Sequence, residues 1–146
     1  KLKRLLSTQI YYEPAVEKIK NEFGLDVNGS GSSGLQDAVW STAVQHGSGG
    51  ANTIFKRALA RTGKSAEDVT DQELISAIYA ERGKRNAAGN LHYFRNSTAG
   101  VQKSVANRFI NEERDALANS TRTLNKDRAK QELAAASAST KGFYPV

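Results

Sequence analysis

The stretch "LQDAVWSTAVQHGSGG", residues 35–50, constrains the fold more than any other part of the sequence. Apolar side chains cover most of the circumference of the helix predicted for residues 35–46, and the glycine-rich segment "GSGG" then ends it. A helix that is apolar nearly all round has to be buried on nearly every side. The sequence therefore predicts an all-α fold, a compact helical bundle around this central hydrophobic helix.

Most of the remaining chain also has helical periodicity. Apolar residues recur at helical spacing in segments 14–23, 51–61, 70–82 and from 98 to about 117, and no alternating Val, Ile and Thr run of five residues indicates a strand. Thr70 and Glu73 have the spacing of a capping box. The last of these helices is expected to bury one apolar stripe, which consists of Val101, Val105, Phe109 and Ala116 and is widened by Ala106, Ile110 and Leu117.

The composition divides the chain into one domain and an arm. With 146 residues the chain is long enough for one hydrophobic core. Residues 1–119 are predicted to form that domain as a single helical lobe. Residues 120–146 are rich in Ala, Ser, Lys and Arg and have little to bury, so we predict a peripheral C-terminal arm.

Several classes of protein are excluded by composition. The chain has no cysteine, which excludes disulfides and thiolate chemistry, and its two histidines form no Cys-His cluster, so we predict no metal and no cofactor. No apolar run approaches the roughly 18 residues that would span a membrane, and no signal-peptide pattern is visible. Because the chain starts at Lys1 and contains no methionine, we expect a processed product or a fragment of a longer protein.

The net charge of +6 favours polyanionic partners such as nucleic acid, anionic lipid or the acidic polymers of a bacterial wall. Most of the basic residues are spread along the chain. A spread charge favours solubility or wall binding over a dedicated nucleic-acid groove. A small basic nucleic-acid-binding domain is thus the less favoured alternative.

A polar stripe interrupts the central helix. Asp37, Ser41 and Gln45 recur at every fourth position and so share one face, and His46 stands where the helix ends. In the middle of a bundle these groups need partners or water, and a cleft would supply the water. We interpret the stripe as the wall of a cleft. The alternative is a solvated edge followed by a C-cap histidine.

Four segments in order, "LQDAVWSTAVQHG", "GGANTIFKRAL", "ISAIYAERGKR" and "VQKSVANRFINEERDAL", resemble the helical second lobe of bacterial and phage peptidoglycan hydrolases. These belong to the branch of the lysozyme superfamily that includes phage-type lysozymes and chitosanases, and similar segments occur in lytic domains of phage tails and injection spikes. The resemblance covers roughly residues 5–118. It implies a two-lobed enzyme in which a helical lobe forms one wall of the sugar cleft. The other lobe carries the catalytic glutamate, and this chain matches only the helical lobe.

The resemblance also implies roles for particular residues. In the chitosanase-like relatives two arginines on later helices support the catalytic acid, and Arg82 and Arg108 match them. Ser41 falls where those relatives place a polar or acidic partner for the arginines. With Gln45 and His46, these residues are the predicted substrate cleft and its support. The alternatives are a helix-end pairing of Arg82 with Glu81 and a structural ion pair from Arg108 to Glu112.

Three glutamates are weak candidates for a catalytic acid within the chain. Glu13 lies beside two tyrosines, whereas Glu81 and Glu112 lie near the candidate arginines in the sequence. Glycoside cleavage needs a protonated acid together with a second carboxylate or an activated water. The catalytic residue itself stays unknown at this point.

We therefore hold three hypotheses. In the first, the chain is part of a cell-wall glycoside hydrolase, a lysozyme-like muramidase. This enzyme would act on peptidoglycan or a related amino-sugar polymer, and its catalytic acid would lie on an N-terminal segment outside this chain. The second is a non-catalytic structural or wall-binding component of a phage or injection apparatus. The third is the nucleic-acid binder. The expected partners are peptidoglycan, the N-terminal catalytic portion, or a phage tail or spike protein, and the expected location is the virion or the periplasm after secretion.

Overall fold

The computed structural model describes residues 8–120, and within them the chain is all-α. A π-helical turn, Thr8–Tyr12, leads into α1, Glu13–Phe23, and the short α2, Val27–Ser30. The long α3 spans Ser33–Thr62, α4 spans Asp71–Arg82, a 3-10 turn covers His92–Phe94, and α5 covers residues 99–120. These residues contain no strand beyond an isolated β-bridge between Arg85 and Leu91. The predicted fold class is confirmed.

Side chains cap the starts of the three longest helices. Ser32 accepts a hydrogen bond from the third amide of α3 at 3.1 Å, and Thr98 does the same for α5 at 3.2 Å. The predicted capping box of Thr70 and Glu73 is present at the start of α4, with both of its hydrogen bonds formed. Each cap satisfies amides that the helix itself leaves without a partner.

The long helix α3 is interrupted at Gly47. This glycine has φ 77° and ψ 167°, a backbone conformation that is essentially restricted to glycine. The helix predicted to end at residue 46 does end there. The next helix begins directly after the break instead of at residue 51, because Ser48, Gly49 and Gly50 are accommodated in its first turn.

The first half of α3 is the centre of the bundle. Its residues Leu35, Ala38, Val39 and Ala43 are between 0% and 2% exposed. The rest of the core comes from all the larger helices: Ile19 of α1, Ile54 and Phe55 of α3, Leu74, Ile75 and Ile78 of α4, and Phe109 of α5. The prediction of a central hydrophobic helix is thereby confirmed.

The predicted stripe on α5 is only partly correct. Val105, Phe109 and Ala116 are buried, but Val101 is 47% exposed and Ile110 is 65% exposed. Ile110 follows Phe109 by about 100° around the helix and so turns away from the core. Val101 lies in the first turn of α5, at the edge of the bundle.

Residues 1–7 and 121–146 lie outside the described part of the chain. The predicted arm falls almost entirely within this range, so the division into residues 1–119 and 120–146 stays a prediction. Within residues 8–120, no helix combines the length and the apolar character that crossing a membrane requires.

Candidate functional site

A cavity of about 330 Å³ opens where α3, α4 and α5 meet. Its lining consists of Asp37, Trp40, Ser41, Tyr79, Glu112, Asp115 and Ala116. We call it the polar cleft. Its volume lies within the usual range of ligand sites, and two members of the predicted polar stripe, Asp37 and Ser41, face it.

The side chain that organises the wall of the polar cleft is Arg82, at the end of α4. It is 0% exposed. Its Nη1 donates a hydrogen bond to Ser41 Oγ at 3.2 Å, and its Nη2 donates one to Gln45 Oε1. The guanidinium carbon lies 4.4 Å from the centre of the Phe109 ring and 5.2 Å from that of Tyr79. Arg82 therefore joins the polar stripe of α3 to α4 and α5.

This arginine is buried without a direct counterion. The ion pairs among the described residues do not include Arg82, and its Nε has no hydrogen-bond partner. Burial lowers the pKa of Arg82, because the charged form loses water. The alternative prediction, a pairing of Arg82 with Glu81, is not what the structure has. The two residues are adjacent on a helix and point in different directions.

Ser41 connects the buried cation to a carboxylate. Its hydroxyl accepts from Arg82 and donates to Glu112 Oε1 at 2.6 Å. The other oxygen of Glu112 has no hydrogen-bond partner among the described residues. Arg108 Nε lies 3.7 Å from that oxygen, which is an ion pair but is too long for a hydrogen bond. The structure thus brings the predicted Ser41, Gln45, Arg82 and Arg108 into one network with Glu112.

His46 lies at the break of α3, between two aromatic rings. Its ring centre is 5.5 Å from that of Tyr93 and 5.7 Å from that of Phe94, both in edge-on contact, and its Nε2 is buried without a hydrogen-bond partner. Burial lowers the pKa of His46 to about 4, and the nearby charges of Arg82 and Arg108 add to the effect. At neutral pH the imidazole is therefore uncharged.

Glu81, one of the weak catalytic candidates, is surrounded by cations. Its side chain is 3% exposed and lies 2.7 Å from Lys84 Nζ, 3.0 Å from Arg61 Nε and 3.8 Å from Arg57 Nη1, while the Tyr93 hydroxyl donates to it. Burial alone would raise the pKa of Glu81, but the hydrogen bonds from Lys84, Tyr93 and Arg61 together outweigh it and lower the pKa. We call Arg57, Arg61 and Lys84 the cation cluster.

The three candidate glutamates thus lie in three different environments. Glu13 is exposed at the first residue of α1, and Glu81 is enclosed by the cation cluster. Of these three, Glu112 is the one that lines the polar cleft. The sequence reasoning missed Asp115, which lies three residues after Glu112 on the same helix; that spacing would have found it.

Two other residues belong to the surroundings of the site. Trp40, which has the character of a core residue, lines the polar cleft and is only partly buried. Glu113, the neighbour of Glu112, faces a separate cavity of about 220 Å³ that Ile110 also lines, and burial raises the pKa of Glu113. No three His, Cys, Asp or Glu side chains within residues 8–120 are grouped so as to hold a metal ion.

The fold and the polar cleft together define a class, a small all-α domain with a polar, carboxylate-lined cleft between its helices. Residues 2–113 match the family described as "Type VI secretion system spike protein VgrG3-like, C-terminal". The match spans most of the chain, which therefore belongs to this family of spike C-terminal domains. No curated protein and no solved structure matches the chain. The predicted association with an injection spike is confirmed.

Proposed function

We propose that the polar cleft binds the glycan strand of the bacterial cell wall. Under this proposal the domain is the helical wall of a cell-wall glycoside hydrolase that an injection spike carries. The observation that carries the proposal is Arg82, a fully buried cation bonded to the polar stripe that borders the cleft.

A buried charge of this kind is poorly explained by stability. Apolar residues of similar volume often stabilise a core as well as a buried ionic group does, or better. Arg82 instead fixes the positions of Ser41 and Gln45, and through Ser41 that of Glu112. Side chains held in place by a supporting network are what a binding or catalytic site needs. We infer that Arg82 positions the wall of the cleft for a ligand.

The lining of the cleft suits a sugar. The carboxylates of Asp37, Glu112 and Asp115 accept hydrogen bonds, which hydroxyl and N-acetyl N–H groups donate. Trp40, which is only partly buried, supplies aromatic surface of the kind that packs against the apolar face of a sugar ring. Glu112 lines the cleft with a side chain that is 28% exposed, and Ser41 holds one of its two oxygens in place.

The chemistry of cleavage adds a requirement that this wall does not meet by itself. A glycosidase needs an acid to protonate the leaving oxygen and a second carboxylate to act as base or nucleophile. In the proposed enzyme an N-terminal segment supplies the acid. The described domain contributes the glycan site and, in Glu112, a carboxylate that the network of Arg82 and Ser41 orients.

A turbidity assay tests this proposal. A suspension of purified peptidoglycan is followed with the chain alone and with the chain extended by whatever its gene encodes upstream. We expect clearing by the extended protein and loss of clearing in its Glu112→Gln variant. An extended protein that pellets with peptidoglycan but never clears it would refute the hydrolase. Absence of both pelleting and clearing would refute glycan binding as well.

The second candidate is a non-catalytic component that only attaches the spike to the wall or forms part of the apparatus. The observation in its favour is that the family is described as a spike protein. Pelleting without clearing is the result it predicts. The nucleic-acid hypothesis gains no support at this site, because three carboxylates line the cleft and would repel phosphates.

A further inference from the structure

The cation cluster carries more positive charge than its surroundings neutralise. Three cations, Arg57, Arg61 and Lys84, contact the single carboxylate of Glu81. One negative charge against three positive charges leaves an excess of two. Arg57 and Arg61 are also four residues apart on α3, a spacing at which like charges repel.

Both arginines are oriented by their inner contacts and open to solvent on the outside. Arg61 donates to Glu81 through Nε, and Arg57 donates to the Tyr93 hydroxyl through Nη1 at 3.1 Å. Their side chains are 43% and 50% exposed. A guanidinium has five N–H donors, so each arginine keeps donors that can face a ligand.

The cation cluster lies next to one end of the polar stripe. Glu81 precedes Arg82 in α4, and the Tyr93 ring that borders the cluster packs against His46, which directly follows Gln45. The acidic part of the cleft lies toward the other end, around Asp37. A ligand that extends along the stripe would thus run from a carboxylate-lined end to an end with excess positive charge.

We propose that the cation cluster binds a free carboxylate on the peptide stems of the cell-wall glycan. This inference rests on the proposed function and names the part of the substrate that the far end of the stripe recognises. The planar fork of an arginine matches the two oxygens of a carboxylate. The peptide stems are the acidic groups that project from the glycan strand. The glycan then lies in the polar cleft, and a stem carboxylate reaches Arg57 and Arg61.

Binding of two matched ligands tests this inference. One ligand is a soluble wall fragment with its peptide stems, and the other is the same glycan after enzymatic removal of the stems. The variants are Arg57→Gln, Arg61→Gln and their combination, and the control is Lys56→Gln, which removes an equal charge from an exposed position on the same helix. Because exposed ion pairs contribute modestly, the double variant is expected to bind the stem-bearing fragment about tenfold more weakly.

Binding of the stem-free glycan should not change in any of these variants, and Lys56→Gln should bind both ligands as the wild type does. If the double variant binds the stem-bearing fragment with unchanged affinity, the inference is wrong and the glycan site stands. If the wild type binds neither ligand, the proposed function itself fails. Equal weakening for both ligands would mean that the cluster only supports the fold. A thermal midpoint is measured for each variant as a control for folding. The double variant Arg57→Lys with Arg61→Lys keeps both charges, so it should still bind the stem-bearing fragment more tightly than the stem-free glycan, though by less than the wild type does.

Discussion

Replacing Ser41 by alanine breaks the connection between Arg82 and Glu112, and its cost can be worked from the structure. The hydroxyl makes two hydrogen bonds to charged groups, each of which typically contributes about 1.5–3 kcal/mol. Arg82 is fully buried, so water cannot easily replace the acceptor that its Nη1 loses. The Glu112 side chain is 28% exposed, so water compensates most of its loss. We expect Ser41→Ala to lower the free energy of unfolding by about 2–3 kcal/mol, or the thermal midpoint by roughly 10 °C.

Urea unfolding followed by circular dichroism measures this difference. The control is Ser76→Ala, which makes the same change at an exposed position within α4 and should alter the free energy of unfolding by less than about 0.5 kcal/mol. If Ser41→Ala is as stable as Ser76→Ala, then the hydrogen bonds of Ser41 to Arg82 and Glu112 contribute no measurable free energy of folding. That result would refute the network described for the wall of the cleft.

Three further predictions concern other parts of the molecule. A Cβ at Gly34 would overlap the carbonyl oxygen of Ala116 and lie 2.8 Å from the amide nitrogen of residue 120. Gly34→Ala should therefore lower the free energy of unfolding by about 3 kcal/mol, measured by urea unfolding. The control is Gly49→Ala, which has open space around the new Cβ and should be neutral or stabilising. The pKa of His46 is lowered to about 4 in the folded state, so as the pH falls the unfolded chain takes up the proton first. The free energy of unfolding should therefore decrease, by at most about 3 kcal/mol, as the pH is lowered from about 6.5 to about 4. An NMR titration midpoint near 6.5 for His46 would contradict this. Thr70→Ala removes the capping box of α4 and should cost about 1 kcal/mol; an unchanged thermal midpoint would show that the cap contributes little.

The fold was largely predictable because its signals are local. The apolar circumference of residues 35–46, the glycine at position 47 and the pairing of Thr70 with Glu73 each depend on nearest neighbours along a helix. The exposure of Val101 and Ile110 was not predictable, since an apolar pattern on α5 does not say how far the helix extends past the elements it packs on. That depends on the tertiary arrangement.

The candidate site was likewise predictable where its signals are local and not predictable where it depends on contacts between distant parts of the chain. Spacing on one helix placed Ser41 and Gln45 on a common face, and the resemblance singled out Arg82. The hydrogen bond from Ser41 to Glu112 joins residues 71 positions apart, so no local pattern could reveal it. The enclosure of Glu81 by Arg57 and Arg61 was equally hidden, because α3 and α4 meet only in the folded chain.

The central claim is that the polar cleft binds cell-wall glycan, and Trp40 offers the most direct test. It is the single tryptophan of the chain and lines the cleft, so a ligand bound there should change its fluorescence. Titration with stem-free glycan fragments should give a saturable change in this fluorescence. Glu112→Gln should weaken the binding. Glu113→Gln, which alters the neighbouring residue in the separate cavity, should leave it unchanged. An absent change, or equal effects of the two substitutions, would contradict the account.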